Sequence, residues 1–280
     1  MGKYQCDTWY YSPYPMGYQN VDTLFLCEFC LSFFVTTDEL SRHSQNCTLT
    51  HPPGDEIYRH GRNSVFEVDG YKNPIYCENI GYLAKLFLDH KNVYEDTLPF
   101  LYYVVTENDE HGQHIVGYFS KEKESQKNWN LACILVLPFH QRKGYGKFLI
   151  SFSYELSIIE KKPGGPEVPL SDLGRASYIA WWTQKIIDYI REHKDESFSI
   201  ADITKETCVL EKDIIETLVS SWFYWKSLIL KLGRTQANEA KWRQNVYLYR
   251  FKNSRSVIQS CWKAWSSRCR RKNPMGSLQI

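Results

Sequence analysis

The 280-residue chain has no long hydrophobic run. Its longest apolar stretch, residues 131–139, spans nine positions, far short of the roughly 20 that cross a bilayer as a helix. Residues 1–7, Met-Gly-Lys-Tyr-Gln-Cys-Asp, lack the apolar centre of a secretory signal, and Cys6 stands where a myristoylation motif has Ser or Thr. The expectation is a soluble, intracellular protein with no membrane contact. Glycine (15) and proline (11) are too sparse for a collagen-like or low-complexity chain. With 43% hydrophobic and 24% charged residues, the chain can bury a core and is not wholly disordered. Its length suffices for one large core or two modest ones. Acidic residues are missing from one end: residues 240–280 carry ten Lys or Arg and no Asp or Glu. Residues 1–239 then hold 24 basic and 32 acidic side chains, a net of −8. An acidic body with a basic tail suits a cationic substrate on the body and a polyanion near the tail; a solvated, fraying terminus has the same signature.

Nine cysteines is an odd number, and three of them cluster as Cys27, Cys30 and Cys47. Outside a secretory context, spaced cysteines point to metal or reactive thiols before disulfides. The segment Cys27-x2-Cys30-x12-His43-x3-Cys47 offers three thiolates and an imidazole, a closed tetrahedral set for structural zinc. Four protein ligands leave no open position for water, which assigns the metal to folding. The intervening helix carries Arg42 and no Lys, a poor surface for reading DNA.

Along the chain, residues 5–26 alternate aromatic and polar positions around Pro13 and Pro15 and read as strands or a hairpin. Thr36-Thr37-Asp38-Glu39 has capping-box spacing ahead of the finger helix. Strands are expected over 64–69, 74–77, 101–106 and 115–119, with a turn at 108–112. A helix is expected over 78–91, with Ile80, Leu83, Ala84, Phe87 and Leu88 on one face. Residues 131–137 form a continuous apolar run ended by Pro138, the pattern of a central strand buried on both faces. A helix with Tyr145, Phe148, Leu149, Phe152, Leu156 and Ile159 on one side follows. After a Pro/Gly-rich loop at 162–169, Ser171 and Asp172 can cap a helix over 173–192. Short helices at 199–205 and 211–220, aromatic residues 222–225 and a strand at 227–232 resemble a winged-helix unit.

Between the apolar run and its helix lies Gln141-Arg142-Lys143-Gly144-Tyr145-Gly146-Lys147. A helix N-terminus presents unsatisfied N–H groups and positive dipole to a pyrophosphate, glycines admit it to the backbone, and three basic side chains add charge. A Walker A loop needs Gly at position 141, which is Gln, and a dinucleotide fingerprint needs Gly at 149, which is Leu. What remains, Gln/Arg-x-x-Gly-x-Gly, resembles the acetyl-coenzyme A motif of the GNAT-like acyltransferases. Glu167 stands in Gly164-Gly165-Pro166-Glu167-Val168-Pro169, stiffened by its prolines. By residue type alone it is a solvated loop carboxylate, and Cys133 a small buried hydrophobe.

Several strings are more specific. Ala84-Lys-Leu-Phe-Leu-Asp-His-Lys91, Val116-Gly-Tyr-Phe-Ser-Lys-Glu-Lys-Glu-Ser125, Gln141 to Ile150, Pro169-Leu-Ser-Asp-Leu-Gly174 and Pro-Pro-Gly-Asp-Glu-Ile-Tyr-Arg59, together with the finger, resemble the MYST histone acetyltransferases over residues 5–190. The resemblance implies an α+β fold: a GNAT-like acetyl-CoA-binding core with a mixed sheet and helices, an N-terminal C2HC zinc finger and a C-terminal winged-helix-like segment. The corresponding division is 1–55, 56–192, 193–250 and a basic tail over 251–280. It implies Glu167 as catalytic general base and Cys133 as active-site cysteine. It places acetyl-CoA on Ile134, Leu135, Val136, Gln141, Arg142, Lys143, Gly144, Tyr145, Gly146, Lys147 and Ser171, zinc on Cys27, Cys30, His43 and Cys47, and autoacetylation on Lys91. Histone tails and the nucleosome are the implied partners, with subunits of a chromatin-modifying complex, DNA at the basic tail, and a nuclear location. Two departures stand out: the loop reads Gly-Gly-Pro-Glu-Val-Pro where the family commonly has Gly-Ser-Pro-Glu-Lys-Pro, and Ala180 replaces a frequent cofactor-contacting serine.

The implied chemistry sets a requirement. A lysine of pKa about 10.4 is a free amine in only roughly one molecule in 2,500 at pH 7, a cost of about 4–5 kcal/mol. A base titrating near neutrality removes that obstacle, so Glu167 is expected in a partly desolvated pocket that raises its pKa. Direct attack and an acetyl-Cys133 intermediate are both compatible with the sequence. The competing readings are an inactive fold of the same kind serving as an interaction module in a chromatin complex, and a small-molecule N-acetyltransferase.

Overall fold

The computed structural model describes residues 1–94, 96–193 and 198–220, and residues 1–217 form one compact unit. The finger comes first: β1 (Phe25–Leu26) pairs with β2 (Phe33–Phe34), and α1 (Thr37–Ser44) follows. The expected capping box is present: the Thr36 Oγ1 accepts from the Glu39 N–H at 3.2 Å, while Glu39 accepts from the Thr36 N–H at 3.2 Å.

The sheet has the order β3 (Asp55–His60), β4 (Asn63–Asp69), β5 (Phe100–Asp109), β6 (Gly112–Glu122) and β8 (Ile134–Val136), and every neighbouring pair is antiparallel. Its strands alternate between two buried faces. Phe66, Val68, Tyr102, Val104 and Tyr118 point to one side, where α2 (Pro74–Lys85) supplies Tyr76, Ile80, Leu83 and Ala84. Val65, Tyr103, Val105, Val116 and Phe119 point to the other, against Leu149 of α3 (Tyr145–Glu160). Both faces being covered, the strands lose the hydrophobic-polar alternation of a half-exposed antiparallel sheet. On the far side of α3 lies α4 (Asp172–Glu192), stacking Trp181 on Tyr154 and donating Trp182 Nε1–H to the Tyr154 hydroxyl at 2.7 Å. Then come α5 (Ile200–Thr207) and α6 (Glu211–Ser220).

Four expectations need correction. Residues 5–24 contain no strand; instead the N–H groups of Trp9 and Tyr10 bond to the Leu86 carbonyl at 2.9 and 3.0 Å, and Tyr14 stacks on Tyr82. Two prolines deny the segment a ladder, and its aromatic rings pack on α2 rather than across a hairpin. Residues 74–77 are helix, because Pro74 at the first helical position is pre-set for the turn and brings Tyr76 and Cys77 into the face completed by Ile80 and Leu83. That helix stops at Lys85 rather than 91. The run 131–137 is not one strand buried on both faces: β7 (Trp129–Leu131) pairs in parallel with β9 (Gly165–Pro166), and β8 belongs to the main sheet as its edge. Ala132 and Cys133 lie between the two. Strand β3 escaped notice because its side chains are almost all exposed. The expected strand at 227–232 lies outside the described residues, so of the winged-helix-like segment only α5 and α6 are in view.

Candidate functional site

The metal centre is built by the finger's two turns and its helix. Cys27 and Cys30 flank the turn between β1 and β2, His43 projects from the last turn of α1, and Cys47 follows the helix end. Their ligand atoms all lie within 4.8 Å of one another, with Cys27 Sγ 3.9 Å from Cys47 Sγ and Cys30 Sγ 3.2 Å from His43 Nε2. Thiolates about 2.3 Å from a tetrahedral zinc stand about 3.7 Å apart, so the donor set fits that ion. The Cys27 thiol, then the Ser32 hydroxyl, hold Cys30 well below the usual thiol range.

The second site gathers where β7, β8 and β9 meet. Among the described residues, strand β8 pairs with β6 alone, through Gly117↔Val136, Tyr118↔Leu135 and Phe119↔Ile134, and is the sheet's last strand. Gly117 is required there: a Cβ on it would stand 2.5 Å from the Leu135 carbonyl oxygen. Cys133 is fixed at both backbone ends by Ser120, whose Oγ accepts from the Cys133 N–H at 3.2 Å and whose own N–H donates to the Cys133 carbonyl at 2.8 Å. The Glu167 N–H donates to the Leu131 carbonyl at 2.8 Å, extending the β7–β9 pairing by one residue. The loop of Glu167 is thereby held beside the chain that enters Cys133, and the Glu167 side chain is half-buried.

Leu137 leads from β8 into a 3-10 turn (Pro138–His140) and the loop ahead of α3. Gln141 Nε2 donates to the Val136 carbonyl at 3.0 Å, tying loop to strand. Gly144 caps α3 with φ 94°, a left-handed conformation glycine adopts without strain, and no side-chain hydrogen bond caps the first turn. The space where side chains of Gly144 and Gly146 would stand is empty to 4 Å. The N-terminus of α3 is therefore open to a ligand, with Arg142 and Lys147 exposed beside it. Lys143 Nζ lies 3.5 Å from Nδ1 of His140, which burial, with Lys143 and Lys3 nearby, pushes below the usual imidazole value despite Glu107. Tyr145 turns inward: its hydroxyl donates to Glu107, and burial together with that carboxylate keeps it protonated.

Ser171 caps α4, accepting from the Gly174 N–H at 3.1 Å. Lys91 is half-buried between α2 and β5, its N–H on the Leu88 carbonyl at 3.4 Å. Sequence reasoning passed over Ser120, Glu107 and His140. No local pattern marks Ser120 or Glu107, since each acts through a neighbour made by strand pairing; His140 immediately precedes the glycine motif.

Residues 51–254 match the MOZ/SAS family and residues 1–47 the MYST family zinc finger domain. This chain belongs to the MYST family. It is 55% identical over 220 residues to histone acetyltransferase of the MYST family 2 of Arabidopsis thaliana, covering 79% of this chain and 49% of that protein. It is 52% identical over 220 residues to histone acetyltransferase ESA1 of Mycosarcoma maydis, covering 79% and 39%. It is 50% identical over 222 residues to the histone acetyltransferase Tip60 homolog of Caenorhabditis elegans, covering 78% and 48%. The chain thus spans about half, or less, of the length of these relatives. Membership accounts for the C2HC cluster, whose metal is zinc, and for the α+β architecture. No helix among the described residues is long and apolar enough to cross a membrane.

Proposed function

We propose that this MYST chain is a histone lysine N-acetyltransferase that moves the acetyl group of acetyl-CoA to lysine side chains of histone tails. The observation that supports the reading is the Glu167–Leu131 backbone bond, which holds the loop of Glu167 beside the strand that leads to Cys133. In this reading Glu167 takes a proton from the lysine ammonium. The neutral amine then attacks the thioester carbonyl, the C–S bond breaks, and the coenzyme leaves as a thiolate that is protonated in turn. A backbone N–H of residues 134–136 receives the developing oxyanion.

The coenzyme lies along Ile134, Leu135 and Val136, with its pyrophosphate over Gln141 to Lys147 at the open start of α3, where N–H groups and dipole favour an anion. Ser171 borders this site as the cap of α4. Gly165 and Ala180 each withhold a hydroxyl that the family pattern commonly supplies. Lys91 is the autoacetylated residue. The acidic body receives basic tails, and the tail at 240–280 adds a DNA contact whose test is truncation after residue 239: salt-dependent loss of nucleosome acetylation supports it, unchanged activity removes it. A nuclear location and membership in a chromatin-modifying complex follow from the substrate, as does the division into finger, core, winged-helix-like segment and tail.

The deciding experiment incubates the protein with radiolabelled acetyl-CoA, core histones and small amines in separate reactions. Label on histones supports the proposal. Label on amines alone favours a small-molecule acetyltransferase, and no transfer by a folded protein favours an interaction module.

A further inference from the structure

The loop that carries Glu167 has a second neighbour besides β7. On its other side runs the turn between α5 and α6. Gly164 forms a parallel bridge with Val209, and its N–H donates to the Cys208 carbonyl at 3.0 Å. The next N–H, of Gly165, turns the opposite way, to the Asn128 carbonyl at 3.2 Å. Successive residues of the loop are thus pinned to opposite walls. Asp213, in the first turn of α6, stands behind Gly165. Its side chain is buried at 8% exposure, and its Oδ2 has no hydrogen-bond partner. A Cβ on Gly165 would lie 2.8 Å from that oxygen. A buried carboxyl oxygen without a donor is costly, and this one faces the backbone two residues before the proposed general base.

We propose that Asp213 is a positioning residue for acetyl transfer, its carboxyl forming the back wall that fixes the height of the Gly164–Glu167 loop. The kinetic part of this inference rests on the acetyltransferase reading; the structural part does not. The carboxyl also carries charge to the site. Burial pushes Asp213 up to about 6; on its own helix Lys212 opposes that rise and Glu216 adds to it. Arg175 of α4 pairs with Glu216 at 2.6 Å, and the buried hydroxyls of Tyr154 on α3 and Tyr178 on α4 lie in the same electrostatic neighbourhood. Asp213 therefore changes charge near pH 6, against Gly165, which lies two residues before Glu167 in the loop.

The test compares Asp213→Asn, which keeps shape and removes the charge, with Asp213→Ala, which removes the wall. Hydrogen exchange of the peptide covering residues 157–170 should quicken in the alanine variant, while peptides of the finger and α2 stay as in wild type. Its kcat should fall about 10- to 100-fold, the cost of displacing a reacting group by about an ångström, with the Kd for acetyl-CoA unchanged. The asparagine variant should restore most of the kcat. The acid limb of its kcat–pH profile should move to lower pH, because one negative charge behind the base has gone. Wild-type exchange and a wild-type pH profile in the asparagine and alanine variants would overturn the inference, as would equal losses of coenzyme binding and turnover in both. Should Asp213→Ala not fold, the pH profile of Asp213→Asn decides the matter. Exchange effects as expected in a wild-type chain without transferase activity would count against the proposed function and leave the wall standing.

Discussion

Replacing Gly117 with alanine places a methyl group 2.5 Å from the Leu135 carbonyl oxygen and 3.1 Å from the Val136 Cα. Both obstacles are backbone of β8, so no side-chain rotation relieves the contact. Ordinary van der Waals separation requires β6 and β8 to part by about an ångström, and overpacking of this kind costs about 1–3 kcal/mol. At about 2–4 °C per kcal/mol for a domain of this size, Tm should fall by about 2–12 °C. The functional effect should exceed what that loss of stability explains. Among the described residues strand β8 is the sheet's last strand; it carries the proposed coenzyme contacts, and Cys133 immediately precedes it. A shift of about an ångström there should weaken acetyl-CoA binding and cost about 100-fold in kcat/KM. Thermal denaturation, calorimetric titration with acetyl-CoA and steady-state kinetics on a histone peptide measure the three quantities. A Gly117→Ala protein with wild-type Tm and coenzyme affinity would refute the close approach of β6 and β8, and with it the placement of the cofactor along that edge.

Glu167→Gln should lower kcat by about 100- to 10,000-fold with unchanged acetyl-CoA affinity; a rate within threefold of wild type would exclude Glu167 as the base. If Cys133→Ala retains near-normal turnover in the same assay, no acetyl-cysteine is required, whereas trapping of label on Cys133 would establish one. Cys47→Ala should lower the bound zinc measured by atomic emission and lower Tm, and full metal occupancy in the variant would remove Cys47 from the ligand set. His114 is clasped between Glu28 and Asp109 at 2.7 and 2.9 Å; burial lowers its proton affinity, but the two carboxylates outweigh it and its pKa is raised. The contribution of the clasp is then complete below the unfolded value of about 6.5 and is lost as pH rises through the higher folded value. Between pH 6 and 9 the wild-type Tm should therefore fall more than that of His114→Gln, and parallel curves would refute the clasp.

Where one residue type or one spacing suffices, the sequence spoke clearly. The metal ligands follow from four donors at fixed intervals, the cap of α1 from Thr36 and Glu39, and the open start of α3 from two glycines. Strands β5 and β6 were legible because β-branched and aromatic residues run through them. Reading failed where tertiary context outweighs local pattern. An apolar run such as 131–137 does not reveal that its two halves pair with different partners, because pairing is a property of the other strands. Proline at 74 was compatible with strand or helix start until the buried positions of α2 chose between them. Asp213 and Ser120 lie 48 and 13 positions from the backbone they face, and nothing local distinguishes them from surface residues.

The zinc finger contributes Leu26 and Leu31 to the same buried cluster as Ile80 of α2 and Tyr102 of β5, and Gln113 of β6 donates its N–H to the Thr50 carbonyl at 2.8 Å just beyond the last ligand. A zinc ion on the four ligands would thus act as a rivet for the central sheet as well as for its own loop. A chelator should strip away part of the sheet's hydrophobic backing, and a fragment cut after Pro53 would expose on each piece the greasy surface that the other had hidden.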